Sequence, residues 1–132
     1  MSLTSPDPAP SVELTVPSVP RSVAEVRRFA RDVCGPGSPA ADTVELLVSE
    51  VATNALVHGA GDVRVRVVVL PDRVRVEVDD DSPLALAPRS AGPTAEGGRG
   101  LALVTALSAQ WGVLSRPGSK TVWFEVEVPS RS

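Results

Sequence analysis

The chain predicts an α+β fold, a two-layer sandwich with helices on one face of a mixed sheet. Three observations predict it. Segments with helical apolar spacing come first; valine-rich segments with strict alternation follow as hairpins; and 132 residues suffice for a single domain with one sizeable core. Residues 1–11 are rich in Pro, Ser and Asp and read as a disordered leader, leaving 12–132 as the folded domain.

The elements follow in order. Val12–Val16 alternates and reads as a strand ended by Pro17. Ser22-Val-Ala-Glu25 is a capping box, so a helix is expected from Ser22, with Val23, Val26, Phe29, Ala30 and Val33 on its apolar face. The glycines and prolines of 35–39 stop it. A second helix is expected from about Ala40 to His58, capped by Gly59. Asp62–Leu70 and Arg73–Asp79 alternate valine with charge around Pro71-Asp72, which makes a hairpin with one buried and one wet face. The segment from Asp80 to Gly98 is rich in Pro, Ser, Ala and Gly and reads as a mobile loop. Gly100–Ala109 returns to helical spacing, and 111–115 with 120–128 closes the chain as a second hairpin turning at Gly118. Trp111 and Trp123, in strands with apolar neighbours, are expected to fill the core, and Cys34 to end the first helix buried or half-buried.

Composition narrows the function. A net charge of -3 with no Lys/Arg cluster argues against a nucleic-acid partner. Two Trp, two Phe and no Tyr offer no aromatic platform for bases. No apolar run reaches the length of a membrane span, the N-terminus lacks signal-peptide character, and the single cysteine allows no internal disulfide. A cytoplasmic protein is expected.

Three clusters carry chemistry. Glu50, Asn54 and His58 recur at i, i+4 and i+8, nearly one helix side, beside the apolar row Val44, Leu47, Val48, Val51 and Ala55. A glutamate at a site edge can take a proton from a hydroxyl or water, and an amide oxygen suits Mg²⁺; solvated residues on a surface helix give the same pattern. Asp79-Asp80-Asp81-Ser82-Pro83 ends a strand. A carboxylate there can accept from an exocyclic amine, or the run can be a polar turn. Gly97-Gly98-Arg99-Gly100-Leu101 leads into a helix, where close backbone approach and free N–H groups suit an anion, although Gly-rich helix starts occur in many folds. Taken in order, the clusters match the base, the metal and the phosphates of a Mg²⁺-nucleotide.

Here the chain resembles the histidine-kinase-like ATPase superfamily with the Bergerat fold, and within it the small anti-sigma-factor serine/threonine kinases of actinobacterial type. The likeness runs from about Val12 to Val128. Glu50-Val-Ala-Thr-Asn54-Ala-Leu-Val-His58-Gly resembles the N-box, which implies Glu50 as general base and Asn54 as Mg²⁺ ligand; His58, near the helix C-terminus, reads as favouring the helix dipole or lining the site rather than as catalytic. Val78–Pro83 is similar to the first glycine box, with Asp80 in the place of the adenine-binding aspartate and Ser82 replacing a glycine. Gly98-Arg99-Gly100-Leu101 resembles the phosphate-contacting second glycine box, and Lys120-Thr121-Val-Trp-Phe the last core strand, where Thr121 is expected near the adenine. For a basic lid residue, Arg89 and Arg99 are candidates. The resemblance implies ATP and Mg²⁺ as ligands and phosphorylation of an antagonist protein. A sigma factor is a further partner, and a homodimer is compatible. The same motifs also fit a nucleotide-gated protein-binding module without catalysis.

Overall fold

The computed structural model describes residues 11–58, 61–81 and 98–129. They form β1 (Ser11–Val16), α1 (Ser22–Cys34), α2 (Ala41–His58), β2 (Val63–Val69), β3 (Arg73–Asp80), α3 (Gly98–Leu107), β4 (Gln110–Arg116) and β5 (Ser119–Glu127). The α+β expectation holds. The leader expected over 1–11 lies outside the described residues except for Ser11, which opens β1. The cap expected at Gly59 also lies outside them.

The sheet order is β1-β2-β3-β5-β4 and every neighbouring pair is antiparallel, so the sheet is not mixed as expected. The reason is topological. Two helices separate β1 from β2 and bring the chain back reversed. The crossover through α3 makes β4 parallel to β3, but β5 folds back into the gap and pairs antiparallel with both.

Strand alternation sets the two faces. Val63, Val65 and Val67 of β2, Val74, Val76 and Val78 of β3, and Val122, Phe124 and Val126 of β5 are buried under the helices. Val44, Leu47, Val48, Val51, Ala52 and Ala55 supply the facing row of α2, and Val26 and Ala30 that of α1. The core is therefore built mostly from β-branched residues on the sheet and mixed aliphatics on the helices. Phe124 is the largest side chain fully inside it.

The start of α1 departs from the capping box. Ser22 is the first helical residue rather than its cap, Arg21 precedes it with no side-chain cap, and Ser22 Oγ donates to the Pro17 carbonyl at 2.7 Å. The Pro17–Arg21 turn is already tight, with Ser22 and Val23 N–H bonded to the Val19 and Pro20 carbonyls, so the helix takes in Ser22 and its hydroxyl turns back to Pro17 instead of capping. α3 likewise starts earlier than expected: Gly98 and Gly100 lie in its first turn.

Trp111 packs against the core opposite Phe124, but Trp123 does not enter it. Trp123 sits on the helix-free face, where the Arg75 guanidinium stacks 4.2 Å from its ring centre. Around it, Glu77 pairs with Arg66 (3.5 Å) and Arg75 (2.9 Å), and Glu125 with Arg73 (3.1 Å) and Arg75 (3.0 Å). Opposite Trp123 lies Gly112, where a Cβ would fall 2.8 Å from the indole Nε1 and 3.0 Å from two ring carbons. Gly112→Ala is expected to push the rigid ring off β4. It should cost about 1–3 kcal/mol of stability in urea unfolding, with a shift in tryptophan emission.

Candidate nucleotide site

One end of the sandwich collects the chemistry. The end of α2 is located by Gly61 (φ +74°), which lies so close to β3 that a Cβ would fall 2.8 Å from Asp81 Oδ2. The start of α2 is at the other end, where Pro39, Ala40 and Thr43 share a cavity with Val126 of β5 and Leu107 of α3. α3 therefore runs back along α2, and its N-terminus points to the end that carries Asp80 and the last turns of α2. The free N–H groups of that first turn add partial positive charge there.

Glu50 and Asn54 stand one turn apart on α2, both half-buried, at the margin of the buried row. Among the described residues neither side chain makes a hydrogen bond or ion pair. This sets Glu50 apart. The other carboxylates without partners among the described residues, Glu13, Glu25, Asp32, Asp62 and Glu127, are exposed, whereas the other buried or half-buried ones are paired. A half-buried acid with no partner among the described residues, one turn from an amide, is unusual for a solvated helix face. Among the described residues, no group of three or more His, Cys, Asp or Glu is placed to hold a metal. A single amide oxygen suits Mg²⁺, which keeps waters and takes phosphate oxygens as its other ligands.

Asp80 ends β3 on the helix-facing side, in line with Val74, Val76 and Val78, and is 1% exposed. Its cross-strand partner is Lys120, 5% exposed, whose Nζ lies 3.5 Å from Asp80 Oδ2. Asp79 and Asp81 are turned elsewhere. Arg64 Nη2 donates to Asp81 at 3.1 Å, and Arg64 Nε lies 3.9 Å from Asp79.

Thr121 is not brought to Asp80. It is opposite Asp79 in the register, on the helix-free face; its hydroxyl donates to Asp79 Oδ1 at 2.6 Å and accepts from Arg116 Nη1 at 3.3 Å. The residue beside Asp80 is Lys120, which sequence reasoning missed. Its signal was its parity: Lys120 shares a face with Val122, Phe124 and Val126, while Thr121 shares one with Trp123 and Glu125. His58 ends α2, and Gly98, Arg99, Gly100 and Leu101 form the first turn of α3; the side chains at these five positions lie outside the described residues. Ser82, Arg89 and most of the segment expected as a loop lie outside them as well. Cys34 ends α1 half-buried as expected, and burial pushes its thiol up.

A family model described as a histidine kinase-like ATPase domain matches residues 16–126. No curated protein is a significant match. The structure of the RsbU and RsbW domains of Rv1364c from Mycobacterium tuberculosis is similar at TM-score 0.69 and 22% identity, over 94% of this chain and 34% of that one. This chain thus spans about a third of the length of that structure. The histidine kinase domain of the blue-light activated histidine kinase EL346 from Erythrobacter litoralis is similar at TM-score 0.56 and 24% identity, over 82% and 60% of the two chains. The Acinetobacter baumannii histidine kinase AdeS is similar at TM-score 0.58 and 14% identity, over 90% and 68%. Among the described residues, no helix is long and apolar enough to cross a membrane.

Proposed function

The chain belongs to the histidine kinase-like ATPase domain family, and from that premise we propose that it binds ATP with Mg²⁺ and phosphorylates a serine or threonine of an antagonist protein. Glu50, half-buried, one turn from Asn54 and without a partner among the described residues, carries this reading. A carboxylate kept at the margin of the core with no partner among the described residues favours a proton-accepting role over nucleotide binding alone.

The base lies toward Asp80, whose carboxylate accepts from the adenine amine. The phosphates lie toward the N-terminus of α3, where the first-turn N–H groups of Gly98 and Gly100 donate to them. Asn54 offers its side-chain oxygen to Mg²⁺, which when bound neutralises phosphate charge. Glu50 orients the acceptor hydroxyl and takes its proton as the oxygen bonds to the γ-phosphorus and ADP leaves. Phosphoryl transfer needs positioning and charge stabilisation more than covalent help, so this small set of groups suffices. An acceptor protein with a serine near the site, and a sigma factor on another face, are the partner classes that fit.

Purified protein, labelled ATP and a candidate antagonist test the reading. Label on a serine or threonine of the antagonist supports it; ATP binding without transfer leaves a nucleotide-gated binding module instead. Asn54→Ala separates the metal's part. Mg²⁺ is expected to tighten ATP binding to the wild type by about tenfold or more, as for a charge-assisted contact, and to leave Asn54→Ala unaffected in calorimetry with and without EDTA. A metal effect that survives the substitution assigns the ligand to another residue.

A further inference from the structure

Lys120 is unexplained by the site as drawn so far. Lysine is seldom buried to this degree unless paired, and a buried ion pair adds little stability over two apolar side chains of similar size. Yet Lys120 stands beside Asp80 on the helix-facing side of β5, its Nζ 3.5 Å from Oδ2, both side chains almost wholly out of water. The next residues inward on that face are valines, Val78 and Val122. The wall next to the proposed base site therefore presents one anionic acceptor and one cationic donor side by side, framed by aliphatic surface.

Resting on the ATP reading above, we propose that Lys120 is a second base-reading residue. Its ammonium donates to a ring nitrogen adjoining the amine that Asp80 accepts. In adenine the amine is a donor flanked by N1 on one side and N7 on the other, both pure acceptors. A carboxylate alone recognises the amine and is indifferent to its flank. A carboxylate with an ammonium recognises the donor–acceptor pair, and fixes the base's rotation in its plane. The apo ion pair keeps both groups charge-compensated and in position before the base arrives, so little reorganisation is needed on binding. A hydrogen bond from a buried cation is worth more than a neutral one, so its loss is readable in affinity.

The test uses the whole chain and calorimetric titration with Mg²⁺ and ATP, 1-deaza-ATP or 7-deaza-ATP, in which C–H replaces one ring acceptor. One of the two analogues is expected to bind the wild type about tenfold or more weaker than ATP, and which one it is identifies the nitrogen. In Lys120→Met the same analogue is expected to bind as well as ATP does, because the donor it failed to satisfy is gone. Both analogues matching ATP on the wild type overturns the proposal, as does discrimination that persists undiminished in Lys120→Met. Should Lys120→Met not fold, the wild-type titrations decide alone. Failure of ATP itself to bind the wild type refutes the nucleotide reading rather than the role of Lys120.

Discussion

Glu50→Gln is expected to bind Mg²⁺-ATP as tightly as the wild type and to lose about 10²–10⁴-fold in the rate of transfer to the antagonist, the range for removing a positioned general base. Glutamine keeps the volume and the half-buried packing of Glu50 at the margin of α2. It removes the group that takes the hydroxyl proton. Because Glu50 has no hydrogen bond or ion pair to lose among the described residues, the substitution should move folding stability by no more than about 0.5 kcal/mol. A fall in rate is then not a fall in the folded fraction. Paired measurements of ATP affinity by calorimetry, unfolding in urea, and labelled-phosphate transfer make the separation. Transfer at the wild-type rate removes Glu50 from the chemistry, and a matching loss of ATP affinity makes it a binding residue.

Much of this architecture was legible in the order of residues because period and burial coincide. In β2 and β3 every second residue is valine, and each of those valines from Val63 to Val67 and from Val74 to Val78 faces the helices. In α2 the row Val44, Leu47, Val48, Val51 and Ala55 is the buried row, and Glu50 and Asn54 flank it as their spacing requires. Period fails where a residue's own chemistry does not reveal its face. Lys120 and Thr121 are adjacent and both polar, and polarity places neither; only their parity with Val122 and Trp123 further along the strand does, as the register with Asp80 and Asp79 shows. Trp123 looked like core material, yet an arginine on one side and a bare glycine on the neighbouring strand let an indole lie flat on the outer face. The capping box at Ser22 failed for a different reason. The proline-bounded turn before it takes Ser22 into the helix, with its N–H and hydroxyl both bonded back to the turn, so the serine does not stand in the cap position. The direction of the whole sheet also escaped a strand-by-strand reading, since the insertion of β5 between β3 and β4 depends on contacts distant in sequence.

Asp80→Ala should strike both folding and recognition, and a second substitution can part the two. Removing the carboxylate leaves the ammonium of Lys120 buried without the charge 3.5 Å away that offsets it. Breaking a buried pair from one side costs about 3–5 kcal/mol, whereas replacing both members by apolar groups is often neutral or better. Asp80→Ala is therefore expected to lower the urea midpoint sharply, and Asp80→Ala/Lys120→Met to recover most of that loss. Recognition should not recover with it. The refolded double variant has neither the acceptor for the adenine amine nor the Lys120 donor beside it, so its ATP affinity is expected to fall by about 100-fold or more, each group being a charged hydrogen-bond partner worth about tenfold or more. Its affinity for inorganic triphosphate, held at the start of α3, should stay within a few-fold of the wild type. This asymmetry is what makes the Asp80–Lys120 pair a reader of the base rather than a strut of the sheet. Equal losses for ATP and triphosphate in the stable double variant would show that the β3 end supports the fold and does not touch the purine.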